Sequence, residues 1–190
     1  HNVQLFEDAA QAHGASWQGR PVASFGASAT FSLYPPKTMT SGEGGMVSCA
    51  TPEIARMVRL LRNQGMEKRY ENEVVGFNAR MTDVHAAIGR VQLQKLAAWT
   101  AQRQSNAAFL SANLESVTVP TVAEGAVHVW HQYTIRVAGD RDAFAAALAA
   151  EHAVGSGVYY PIPHQPPPSV RRPPDPPAPS RDSAPARPPP

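Results

Sequence analysis

Asp8 ends a short apolar run, residues 3–6 (VQLF) followed by Glu7. Open α/β sheets place ligand-binding groups at the carboxyl ends of their strands. A carboxylate there can keep a pyridine-type nitrogen protonated and electron-withdrawing. The plain structural alternative is a cap for a helix over residues 9–13. Lys37, one of three lysines, follows a second apolar run in a turn rich in Pro, Thr, Ser and Gly. A lysine amine is a weak nucleophile until it loses its proton, which burial or a neighbouring cation favours. Once neutral, it can bond covalently to a carbonyl carbon and later shuttle a proton. Taken alone, a loop lysine is more often solvated surface. Ser32 stands five residues before Lys37, and on a strand and its turn that spacing lets one ligand touch both. The run Ser41-Gly42-Glu43-Gly44-Gly45 suits a tight turn but lacks the G-x-x-x-x-G-K-[ST] spacing of a phosphate loop. Its glycines therefore read as chain geometry beside the lysine.

Other constellations are weaker. The histidines show no H-E-x-x-H spacing, the single Cys49 leaves no His/Cys cluster, and no metal site is expected. There is no G-x-S-x-G elbow. His131 and His164 are candidates for catalysis, although an isolated histidine is more often packed or at the surface. Trp17, Trp99 and Trp130 read as packing residues. Arg56, Arg59 and Arg62 read as a solvated helix face.

The elements that must position these residues alternate between strand and helix. Residues 3–6, 29–34 and 45–49 are strand candidates. Thr51-Pro52-Glu53 is a helix start, with a capping hydroxyl, proline in the first turn and an acid near the positive end of the dipole. Ile54, Val58 and Leu61 recur at helical spacing, and Gly65 is a stop. Thr82 is expected to cap one longer helix whose apolar face includes Ala86, Ile88, Val91 and Leu96. Val129, His131, Tyr133, Ile135 and Val137 alternate as one face of a later strand, and Asp140 caps a helix carrying Phe144 and Leu148. This interleaving predicts an α/β fold with a mostly parallel sheet.

Composition narrows the class. The net charge of +2 comes from the tail, because acids and bases balance over residues 1–165. A balanced body argues against a nucleic-acid partner. No apolar run is long enough to cross a membrane. The opening HNVQLFEDAA lacks the pattern of a signal peptide, and its lack of an initiating Met is expected of a chain cut from something longer. One cysteine fits a reducing, cytoplasmic setting. From Pro163 onward 13 of 28 residues are proline, so residues 166–190 are expected to be a disordered tail. A P-x-x-P recognition segment is the alternative there.

Five ordered blocks, EDAAQAHGA, FSLYPPKTMTSGEGGMV, LLRNQG, GFNARMTDVHAAIGRVQLQKL and VYYPIPH, resemble the DegT/DnrJ/StrS family of sugar aminotransferases. These are fold-type-I enzymes that depend on pyridoxal 5′-phosphate (PLP). The resemblance covers residues 1–164 and implies a role at each matching position. Asp8 pairs with the pyridinium nitrogen, and Gln11 lies against the ring near its 3-hydroxyl. Ser32 binds the cofactor phosphate, and Lys37 bonds covalently to the cofactor. Asn78 reaches the phosphate of a neighbouring subunit's cofactor, which implies a homodimer. His164 falls in a segment near substrate. The implied reaction moves an amino group from glutamate or glutamine to a nucleotide-linked keto-sugar. A sugar dehydratase of the same family carries histidine in place of the lysine, so Lys37 argues against that variant.

The resemblance also implies an organisation: residues 1–100 as the later part of a PLP-binding large domain, residues 101–165 as a partial small domain, then the tail. Relatives carry a segment before EDAAQ and continue past YYPIPH into further helix and strand. The chain is therefore expected to be an incomplete copy, inactive or poorly folded in isolation, because a sheet missing strands leaves edges uncovered. A non-catalytic remnant or regulatory homologue is the alternative.

Overall fold

The computed structural model describes residues 3–158. His164, the YYPIPH block and the proline-rich tail lie outside the described residues. Residues up to Gly139 form one compact unit, and a second begins at Asp140.

The sheet that matters for the site has three strands. β1 (Phe6–Asp8) pairs in parallel with β4 (Ser28–Ser32), and β4 pairs antiparallel with β5 (Gly45–Cys49). The first strand begins later than the apolar run suggested and carries Glu7 and Asp8 inside it. Between β1 and β4 lie β2 (Ser16–Trp17) and β3 (Arg20–Pro21), an antiparallel ribbon extended by β7 (Ala126–Val127). The α/β class holds. The expected parallel pairing is realised between β1 and β4, whereas residues 33–44 join β4 to β5 without a crossover helix. β5 returns antiparallel to β4.

Glu7 organises the chain between β1 and β4. Its carboxylate accepts the backbone N–H of Ala23 at 2.8 Å, and those of Phe25 and Gly26 at 2.9 Å each. Burial pushes this carboxyl up, but the three amides and the Arg20 charge outweigh it and hold its pKa below the usual value. In the sequence Glu7 is marked only by standing beside Asp8.

α1 (Pro52–Arg62) starts as expected, with the Thr51 hydroxyl accepting the Ile54 N–H at 3.4 Å. It ends at Asn63, and the Leu60 carbonyl accepts both the Asn63 and Gly65 N–H groups. Gly65 has φ +77°, and a Cβ there would collide with the Val74 carbonyl. Arg56 is not merely a solvated face residue: it ion-pairs with Glu67 and Glu73, each at 2.8 Å, and ties α1 to the loop that follows.

The single helix expected after Thr82 is two. α2 (Asp83–Leu93) is followed by α3 (Leu96–Asn113), and the Lys95 N–H closes a tight turn onto the Gln92 carbonyl. No Gly or Pro marks this break, so the sequence pattern runs through it. The buried side of α2 is that of Gly89, which packs beside Ser41 and Leu33. Ile88 and Val91, expected inside, are exposed together with Val84.

The expected strand over residues 129–137 is also absent. Two short strands, β7 and β8 (Arg136–Val137), flank an irregular run; β8 pairs with β6 (Val117–Thr118). Trp130 has φ +49°, which breaks the alternation. Backbone carbonyls there are taken by α3 side chains instead of a ladder: Arg103 donates to Trp130 and Gln104 to His128. Trp130 packs between His128 and Tyr133. In the second unit α4 (Arg141–His152) is capped by Asp140, whose carboxylate accepts the Asp142 and Ala143 N–H groups.

The Glu7 interactions give a prediction with a definite sign. Its folded pKa lies below its unfolded one, so its stabilisation is complete above the usual value of 4.5 and fades as pH falls through the folded value. Glu7→Gln should lower stability near neutrality by about 1–3 kcal/mol and flatten this part of the acid dependence. Thermal melts of both proteins across the acid range check it; equal losses at every pH would contradict it.

Candidate active site

The parallel register sets Asp8 opposite Thr30, two residues before Ser32 at the end of β4. The carboxyl ends of two adjacent strands therefore present Asp8 and Ser32 on the same edge. After β1 the chain does not become a helix. It makes turns, with the Asp8 carboxylate accepting the Ala10 N–H at 3.1 Å and the Ala9 carbonyl accepting the Ala12 N–H. Gln11 sits exposed on this turn. Asp8 thus caps a turn with one oxygen, leaving the other without a hydrogen-bond partner among the described residues.

Lys37 belongs to the loop between β4 and β5, and the loop is held from within. The Leu33 carbonyl accepts the Ser41 N–H at 3.1 Å and the Thr40 hydroxyl at 2.9 Å. The Leu33 N–H reaches the Gly44 carbonyl at 2.9 Å, and the Ser41 hydroxyl donates to the Glu43 carbonyl at 2.8 Å. Leu33, Thr38, Met39 and Ser41 are buried, while Lys37 between them is half-buried. Gly42 and Gly44 have φ of +90° and +134°, in line with their reading as chain geometry. The Lys37 amine makes no ion pair or hydrogen bond among the described residues. Among the described residues the Ser32 hydroxyl accepts only the Tyr34 N–H, at 3.4 Å.

His13, in the turn after Asp8, reaches Thr38 in the lysine loop: Nδ1 lies 3.1 Å from the hydroxyl. This contact ties the two segments that leave the parallel strands. Asp8, Gln11, Ser32 and Lys37 consequently stand on the ends and loops of one strand pair. Lys37 also opens onto a cavity of about 450 Å³ lined by Thr38, Thr40, Gln92, Trp99 and Arg103. Asp8, Gln11 and Ser32 do not line it. Trp99, read as packing, is therefore also a cavity wall.

Asn78, like Asp8, Gln11 and Ser32, does not line the Lys37 cavity. It lines a second cavity, of about 540 Å³, with Thr30 and Phe31 of β4, Glu43 of the lysine loop, and Arg80 and His85, and its side-chain oxygen accepts the Arg80 Nε–H at 3.1 Å. Among the described residues no group of three or more His, Cys, Asp or Glu could hold a metal ion. None of their helices is long and apolar enough to cross a membrane.

Two histidines near Lys37 complete the picture. Burial pushes the His131 imidazole down, reinforced by the Lys37 and Arg103 charges, and its buried Nδ1 has no partner among the described residues. His13 was absent from the sequence reading, although its place five residues after Asp8 within one block was a usable signal.

The model of the DegT/DnrJ/EryC1/StrS aminotransferase family matches residues 1–183. The chain is similar to a pleiotropic regulatory protein of Geobacillus stearothermophilus, 39% identical over 86% of this chain and 45% of the relative. It is 40% identical to a UDP-N-acetyl-3-dehydro-alpha-D-glucosamine 3-aminotransferase of Acidithiobacillus ferrooxidans, over 87% of this chain and 45% of the relative. Among solved structures it is similar to Streptomyces venezuelae DesV in complex with a ketimine intermediate. That likeness has a TM-score of 0.74 and 39% identity, over 79% of this chain and 41% of the other. The chain thus spans a little under half the length of the curated relatives it matches.

The lysine loop should be sensitive at Gly44, whose φ favours glycine and where a Cβ would fall against the Met81 sulfur. Gly44→Ala is expected to cost about 1–3 kcal/mol and to speed amide hydrogen exchange over residues 33–44. Unchanged exchange in that loop would contradict the closure described here.

Proposed function

The chain belongs to the DegT/DnrJ/EryC1/StrS aminotransferase family, whose members depend on PLP, and on that footing we propose that Lys37 and Asp8 hold this cofactor for amino transfer to a nucleotide-linked keto-sugar. The observation that carries the reading is the pairing of β1 with β4, which brings an acid and a lysine loop to one sheet edge. The residues present fit the group. Asp8 keeps a carboxylate oxygen without an internal partner, and the half-buried Lys37 amine has no counter-ion among the described residues.

Bound there, PLP supplies an electron sink for charge developing at the carbon that loses or gains the amine. The chain's own residues do the rest. Asp8 holds a proton on the ring nitrogen, because an ionised carboxylate favours the charged form of its partner. Gln11, on the turn beside Asp8, orients the ring near its 3-hydroxyl. Ser32 offers its hydroxyl proton to the phosphate. Lys37 holds the cofactor covalently between turnovers and carries the proton to and from the substrate carbon.

Glutamate or glutamine is the proposed amino donor, and a sugar carried on a nucleotide is the proposed acceptor; the name of the relative from A. ferrooxidans supports that acceptor class. Asn78 is proposed to serve the cofactor of a second copy of the chain. The exposed Val84, Ile88 and Val91 on α2 support a homodimer. The large-domain and small-domain division at about residue 100, and a substrate role for His164, belong to the same proposal. A regulatory protein without turnover is the second reading, favoured by the likeness to the G. stearothermophilus protein.

Incubation with PLP, borohydride reduction and peptide mapping separate the two. The proposal expects a stable pyridoxyl label on Lys37 and none on Lys68 or Lys95, lost in Lys37→Ala. Asp8→Asn keeps an oxygen for the Ala10 N–H but should weaken cofactor binding about tenfold or more. Absence of label on Lys37 would favour the regulatory reading.

A further inference from the structure

His13 is buried to 5% exposure, yet nothing in the proposed chemistry uses it. Its Nδ1 meets the Thr38 hydroxyl at 3.1 Å across 25 residues of chain. Its ring packs on Phe31 of β4, with centroids 5.3 Å apart and planes tilted by 50°. Its Nε2 has no hydrogen-bond partner among the described residues. Thr38 is itself buried to 3% and is the residue after Lys37. Among the described residues, the one polar side-chain contact between the two loops leaving the parallel strands therefore ends beside the lysine.

The ring is also suited to that place by its charge. Burial pushes its pKa below the usual histidine value, the Ser32 backbone pulls it up, and the His131 and Lys37 charges push it down again. A neutral ring adds no positive charge next to an amine that must lose its own proton.

We propose that His13 is a positioning residue for Lys37, fixing through Thr38 where the lysine backbone stands at the carboxyl ends of β1 and β4. The inference takes its chemical meaning from the aminotransferase reading and rests on it. Its geometric content is the link from His13 to Thr38. A misplacement of about 1 Å at a reacting group can cost about 10²-fold in rate, so such a link matters even though it touches no substrate.

The test uses the full chain and the reactivity of its three lysines. Acetic anhydride modifies Lys37, Lys68 and Lys95, and mass spectrometry follows each, with Lys68 and Lys95 as internal references. His13→Ala and Thr38→Val should each change the relative Lys37 rate by about threefold or more, and the double variant by no more than either single one. His13→Asn and Thr38→Ser, which keep a polar partner, should restore the wild-type ratio. Thr38→Val exchanges a hydroxyl for a methyl of similar size and keeps the test open if His13→Ala does not fold. An unchanged Lys37 ratio in folded variants, or effects of the two single changes that simply add, would overturn the positioning role. A parallel borohydride reduction with PLP reads the aminotransferase proposal separately: no label on wild-type Lys37 sinks that proposal, whatever the acylation rates do.

Discussion

The parallel ladder between β1 and β4 is the constraint on which the rest depends. It is short, yet its register fixes Asp8 against Thr30 and so places the ends of both strands on one edge. Parallel strands share a carboxyl end, and side chains just beyond that end can converge on one ligand. An antiparallel pairing of the same two segments would have sent Asp8 and Ser32 to opposite edges. Glu7 supports the ladder from inside β1, because its carboxylate gathers the amides of the chain that returns to β4.

The second requirement is a loop that holds a half-buried lysine still. Backbone polar groups removed from water must find partners. In residues 33–44 they do so locally, through the Leu33 carbonyl, the Gly44 carbonyl and the hydroxyls of Thr40 and Ser41. The loop is therefore anchored by its own bonds and by the packing of Leu33 and Ser41 beside Gly89 of α2. The Lys37 amine, by contrast, makes no hydrogen bond or ion pair among the described residues. That asymmetry, a satisfied loop around an unsatisfied amine, suits a residue kept ready for a covalent bond.

Much of this was legible in the sequence, for reasons that differ by residue. Thr51-Pro52 and Asp140 announced their helices because capping is a local interaction written in adjacent residues. The roles proposed for Lys37, Asp8 and Ser32 rest on their blocks more than on any single position. The break between α2 and α3 was not legible, since Gln94 and Lys95 are ordinary helix residues and the turn depends on tertiary packing. The strand expected after Val129 failed because α3 side chains capture its carbonyls, an interaction between segments far apart in the chain. Ile88 and Val91 show a further limit: apolar spacing marks a face but does not say whether this chain or another body covers it. His13 was overlooked because a buried histidine has no signature until its partner, Thr38, is known.

These features give a coherent division of labour. In the proposed site the acid ends β1, the hydroxyl ends the adjacent β4, the lysine lies in the loop after β4, and the amide lies on the turn after the acid. The most direct measurement is an experimental structure of the chain with PLP bound. The account predicts unbroken density from the Lys37 Nζ to the cofactor and an Asp8 carboxylate oxygen about 2.7–2.9 Å from the pyridine nitrogen. A cofactor seated elsewhere, or an Asp8 side chain turned away from the ring, would contradict it.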